Sequence, residues 1–173
     1  MLLIVVIWGL IFVVVSGMGF LFMKMLGASG DKGEMHFFAF WLGLASTIGL
    51  LQVWHIFSPV NAYSFILILL AGLTGLFFAN LWLIATFLSN IRNNKLAFGI
   101  FFACAVLLVL WLANRAMGQI ISFDTGLYHL GMVRWIQSSP IVVGLGNLHP
   151  RFGYNNAYFL FVALLNLIPG LPD

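Results

Sequence analysis

Long apolar runs, broken only by short polar segments, dominate the chain. A helix rises 1.5 Å per residue, so about 20 apolar residues cross a hydrocarbon layer roughly 30 Å thick. Residues 2–23, 36–57, 62–88 and 96–113 each meet that requirement and predict four transmembrane helices. The third run is long enough to tilt or to begin outside the hydrocarbon. Only Ser58-Pro59-Val60-Asn61 separates the second run from the third, a turn short enough to make those helices antiparallel neighbours. A fifth apolar run, 157–168, is about half a span and is followed by Pro169 and Pro172. The expected fold class is all-α: a polytopic transmembrane helix bundle of four spans plus a partial fifth, with an external loop containing a short interfacial helix. Three segments follow: a four-span bundle over 1–113, an external loop over 114–156, and the partial fifth span over 157–173.

Inside the spans, small residues four apart (Ala45 with Gly49, Ala71 with Gly75) predict faces where helices pack closely. Gln52 and Asn80 are read as interhelical hydrogen-bonding groups. His36 and His55, near the two ends of the second span, sit at interfacial depth and need no function.

Composition removes the soluble alternative. Apolar residues make up 63% of the chain and charged residues 6%, against about 25% charged in ordinary globular proteins. No charge occurs over the 57 residues 35–91, so no polar surface exists to cover that segment in water. The net charge of +3 is scattered over loops and forms no nucleic-acid surface; the partner it implies is the lipid bilayer. Cys104 stands alone in an apolar run, which excludes a disulfide framework and reads as a small buried residue. The N-terminus lacks the basic region and cleavage site of a secretory signal, so 2–23 is kept as a span.

Orientation follows from basic residues in short loops. Lys24, Lys32, Arg92 and Lys95 fall on one side, four in 19 residues, and Arg115, Arg134 and Arg151 on the other, three in 43. The denser side is expected to be cytoplasmic. Residues 114–156 then face outward, in a multi-pass protein of the bacterial cytoplasmic (inner) membrane.

Polar chemistry concentrates in that loop, which makes it the candidate site. Asp124 is its only carboxylate, so paired-carboxylate chemistry is unavailable within it. Asp124 is placed to cap a short helix running to about Gln137, ended by Ser138-Ser139-Pro140. That helix is apolar almost all round, with His129 and Arg134 on different sides, so it should lie in the membrane interface. The following 141–151 stretch is a loop without the Gly-Lys-Ser/Thr of a phosphate loop. Asp124, His129 and His149 have the chemistry of a divalent-cation site, though a pair of histidines more often serves in hydrogen-bonded structure. Arg115, Arg134 and Arg151 run against the positive-inside tendency. They read either as ordinary headgroup contacts or as a site for a phosphorylated lipid, which guanidinium groups grip bidentately. Tyr128 and Asn147 complete the candidates.

The strings Asp124-Thr125-Gly126-Leu127-Tyr128-His129, Val133-Arg134-Trp135-Ile136 and Gly144-Leu145-Gly146-Asn147-Leu148-His149-Pro150-Arg151 resemble the first large external loop of certain bacterial multi-spanning proteins. Those proteins are similar to GT-C glycosyltransferases, which use polyprenyl-phosphate sugars outside the cytoplasmic membrane. The resemblance covers about residues 110–165. It implies that Asp124 is catalytic, either activating an acceptor hydroxyl as base or holding a divalent cation. The acceptor oxygen would attack the anomeric carbon and displace polyprenyl phosphate. Chemistry, rather than a family motif, suggests Arg134 or Arg151 as the cation beside the departing phosphate. Two features depart from the family: GT-C enzymes carry many more spans, and their acidic residue typically follows the first span rather than the fourth. The expectation is therefore an N-terminal fragment, partnered by the remainder of a split polypeptide and inactive alone. The rival readings are a small transporter or flippase subunit and a non-enzymatic membrane scaffold. Spans without a charge to couple an ion argue against transport.

Overall fold

In the computed structural model, residues 1–28, 32–93, 95–118, 123–153 and 156–168 are described, with 32–34 and 80–93 as backbone only. Asn80 of the third span, the orientation markers Lys32 and Arg92, and Tyr154, Asn155 and Pro169–Asp173 lie outside the described side chains. The protein is all-α, with no strand among the described residues. Four helices carry the spans: α1 (Leu2–Met25), α2 (Lys32–Phe57), α3 (Ala62–Asn93) and α4 (Lys95–Ala116). Their apolar stretches run 18 to 24 residues, long enough to cross a bilayer, and make this a membrane protein. Contacts divide the chain into two compact units: residues 1–43 with 71–119, and residues 44–70 with 120–173. The division cuts through α2 and α3, so contact in space and order along the chain group the residues differently.

Close backbone approach to α1 builds the first unit. A Cβ placed on Gly43 would overlap the Val15 carbonyl oxygen, and one on Gly19 would overlap the carbonyl of Ala39. Toward α3, Cβ atoms on Gly17 and Gly75 would collide with the carbonyls of Gly72 and Gly17 respectively. Helices in lipid gain their association from such packing, because lipid is as apolar as the side chains it would replace. Phe20, Met23, Ala39 and Ala79 form the buried cluster, and Phe12 stacks on Phe40 with ring centroids 5.3 Å apart. His36 meets the edge of Phe20 at 5.6 Å. By contrast, α4 has only 6% of its apolar window buried.

The packing face expected on α2 is a different one. Ala45 is exposed, and a Cβ on Gly49 meets nothing within 4 Å. Positions 43 and 45 lie about 200° apart around a helix of 3.6 residues per turn. Which small residue is used depends on where the partner helix offers a close approach, here at Val15 and Gly19 of α1. Gly75 does pack closely, while Ala71 is half-buried.

The second unit contains the 58–61 turn. Asn61 caps α3: its Oδ1 accepts the N–H of Tyr63 at 3.0 Å, and its own N–H donates to Ser64 Oγ at 3.0 Å. Trp54 Nε1 donates to the Pro59 carbonyl at 2.9 Å. Further along, a π-helical turn at Thr125–His129 leads into α5 (Leu130–Ser138), followed by α6 (Leu145–Leu148), a 3₁₀ turn at Pro150–Gly153, and α7 (Tyr158–Leu165). The Val60 N–H donates to the Ile136 carbonyl at 2.9 Å, which ties the turn to α5. Gln137 Nε2 donates to the Ala163 carbonyl at 3.0 Å and ties α5 to α7. At about 12 Å long, α7 is too short to cross a bilayer, and it buries Phe159, Leu160, Phe161, Ala163 and Leu164.

Candidate functional site

Asp124 stands at the start of the π-helical turn but does not cap it, since its side chain makes no hydrogen bond to the turn's N–H groups. The carboxylate pairs instead with Arg151, whose Nη1 donates to Asp124 Oδ1. A guanidinium offers charge as well as donors, and so outcompetes a local backbone N–H for the same oxygen. The 3₁₀ turn holds Arg151 in place: its backbone N–H donates to His149 Nδ1 at 3.2 Å. The guanidinium carbon lies 5.5 Å from the centroid of the Tyr128 ring, within cation–π range. Tyr128 packs edge-on against His129 at 4.3 Å, and His129 lies 5.1 Å from Phe159 of α7. The sequence candidates Asp124, Tyr128, His129, His149 and Arg151 are thus neighbours.

The pair is half-exposed, with side-chain exposures of 36% for Arg151 and 46% for Asp124. An ion pair so open to solvent contributes about 0–1 kcal/mol to stability. Its significance lies in what it presents: a carboxylate and a guanidinium accessible together, backed by an aromatic ring.

Arg134 is exposed on α5, and Arg115 is exposed near the end of α4 in the first unit. Asn147 is exposed, with its backbone N–H donated to the Gly144 carbonyl at 2.9 Å. Gly144 itself has φ +91°, a left-handed geometry open to glycine, and starts α6. The metal site expected of Asp124, His129 and His149 is not assembled, because no three potential ligands cluster among the described residues. Arg151 takes up the Asp124 carboxylate, His149 Nδ1 accepts a backbone N–H, and His129 packs on Phe159.

A residue given no role from the sequence does occupy a built position. His55, 9% exposed, places its Nε2 3.1 Å from the Ser139 carbonyl, and its own carbonyl accepts the Ile141 N–H at 3.0 Å. It lines a cavity of about 510 Å³ within the second unit. Trp135, Phe152 and Leu160 contribute apolar walls there, and Gln52 and Asn156 the remaining polar side chains. Nothing in the spacing of His55 announced this, because its partner lies 84 residues away.

The chain belongs to a family described as a domain of unknown function (DUF8201), whose match covers residues 1–169. No curated protein and no solved structure matches it.

Proposed function

We propose that this family member is the membrane-embedded part of a sugar-transfer protein that uses a polyprenyl-phosphate sugar at the outer face of a bacterial cytoplasmic membrane. The observation that supports this reading is the half-exposed Asp124–Arg151 pair beside Tyr128. Transfer requires a base for the acceptor hydroxyl and a cation for the departing phosphate, and the pair presents one of each. In the proposed reaction the acceptor hydroxyl gives its proton to Asp124, and its oxygen bonds to the anomeric carbon. The bond from that carbon to the phosphate oxygen breaks, and polyprenyl phosphate leaves with the electron pair. Arg151 meets the charge on that oxygen, a task its planar fork suits. Exposed Arg134 is available to the same phosphate. Donor binding would draw Arg151 from Asp124 and free the carboxylate as base.

The test is Asp124→Asn in the full natural gene product, assayed in membranes with a polyprenyl-phosphate sugar. General-base catalysis is worth about 10²- to 10⁴-fold, so transfer should fall by that order while membrane insertion stays normal. Full activity in that variant ends the proposal. Orientation is tested separately with Ser138→Cys in a Cys104→Ala background, Ser138 being exposed. A membrane-impermeant thiol reagent added outside intact cells should label it. Labelling only after permeabilisation would put this segment in the cytoplasm and remove the basis for external transfer.

A further inference from the structure

We infer that the cavity of the second unit is a binding site for an uncharged, hydroxyl-bearing amphiphile, whose hydroxyl donates a hydrogen bond to Nδ1 of His55. This goes beyond sugar transfer at Asp124 and does not rest on it.

A carbonyl oxygen can only accept, so the 3.1 Å contact with Ser139 makes His55 Nε2 the donor. The neutral ring then carries its proton on Nε2 and keeps Nδ1 as a bare acceptor. Among the described residues no donor meets Nδ1, and the atom is not sealed off, although His55 as a whole is only 9% exposed and lines the cavity. An acceptor left open beside a cavity must be met by water or by a donor of whatever fills the cavity, and a ligand that covers it without donating leaves it unpaired. Two backbone links to the 139–141 segment fix the ring, so its orientation is built rather than incidental.

The lining then selects the ligand. Among the described residues no Asp, Glu, Lys or Arg lines it, so a phosphate or ammonium head would enter without a counter-charge from them. Its polar side chains are His55, Gln52 and Asn156. Asn156 Oδ1 already accepts the Tyr158 N–H at 3.1 Å, which leaves its amide as a donor toward a hydroxyl oxygen. The rest is apolar, including Val53 and Ile56 from the spanning part of α2, so an apolar tail has a wall continuous with the membrane span. A volume of about 510 Å³ falls within the roughly 300–1,000 Å³ usual for small-molecule sites. An acceptor nitrogen, two amides and apolar walls match a hydroxyl carried on a hydrocarbon body. Two sources have that chemistry: a free lipid alcohol and the sugar of an uncharged glycolipid.

The test uses the full chain in phosphatidylcholine nanodiscs and a diazirine-bearing dodecanol as photo-probe. Cross-links should map to the cavity lining and be displaced by dodecanol about tenfold better than by dodecyl methyl ether, which cannot donate. That factor corresponds to about 1.4 kcal/mol, the order of one unmade hydrogen bond at an acceptor that the ligand covers. Dodecyl phosphate should compete worst. His55→Phe should erase the alcohol–ether difference; if that variant fails to fold, the ligand pair on the natural chain still decides. Stronger competition by dodecyl glucoside than by dodecanol identifies a glycolipid, and the reverse a lipid alcohol; either supports the site. Equal competition by alcohol and ether, preference for the phosphate, or cross-links confined to other segments would each overturn it.

Discussion

The two units of this protein use small and polar residues for opposite ends. In the first, glycines at 17, 19, 43, 72 and 75 let helix backbones touch, and the buried cluster of Phe20, Met23, Ala39 and Ala79 is wholly apolar. In the second, glycines at 144, 146 and 153 line a cavity and serve a loop, and polar side chains reach across the chain: Asp124 to Arg151, His55 to Ser139, Gln137 to Ala163. Close backbone fit gives the first unit its specificity, because lipid supplies no hydrophobic drive for helices to associate. Directional bonds supply it in the second, where they fix short elements such as α6 and α7 that could not persist as isolated helices. The comparison teaches that low polarity does not mean low specification. A backbone notch one glycine wide excludes alternatives as firmly as a hydrogen bond does.

Substitutions can break or sharpen this contrast. The largest effect is expected from Gly43→Val, which drives a branched side chain into the Val15 carbonyl. Overpacking typically costs about 1–3 kcal/mol and more where backbone is struck, so folded protein recovered in mild detergent should be largely lost. Gly49→Ala on the same helix meets open space and should be neutral or stabilising by up to about 1 kcal/mol, read from thermal unfolding in detergent. Equal damage from both would show that shape in the first unit is not specific.

Next in size is Asn61→Ala, which removes the cap of α3. A lost cap costs about 0.5–2 kcal/mol, and the same unfolding measurement should register it. Asp124→Ala should cost no more than about 1 kcal/mol, because the pair it breaks is half-exposed. A larger loss would make that pair a structural tie rather than a functional one. Smallest of all is Thr47→Val. The Thr47 hydroxyl is buried without a hydrogen-bond partner, and an apolar replacement of similar shape should be neutral or slightly stabilising. Marked destabilisation there would reveal a hidden polar contact in α2.

Much of the architecture was legible because one physical constraint dominates it. A run without charges over residues 35–91 has only lipid to cover it, and in lipid the backbone must satisfy itself as helix. That constraint is local, so the four spans, the turn at 58–61 and the short helix before Ser138-Ser139-Pro140 follow from adjacent residues. The concentration of polar groups beyond residue 114 could be read the same way. Pairings could not. Asp124 looked like a helix cap because a cap is a local solution, whereas its partner Arg151 stands 27 residues away. Ala45 and Gly49 looked like the packing stripe of α2 because spacing marks small residues without saying which face meets another helix; Gly43 holds that position because α1 brings the backbone of Val15 and Gly19 to it. His55 looked idle at the end of a span, and only the return of the 139–141 segment gives its ring a fixed orientation and a cavity to line. The sequence by itself determined the solvent of this protein, its helicity and the segment where polar side chains concentrate, since each depends on composition over a short window. Tertiary structure alone decided which glycine is a notch, which carboxylate has a guanidinium and which histidine has a free nitrogen, since each depends on what a distant segment brings alongside.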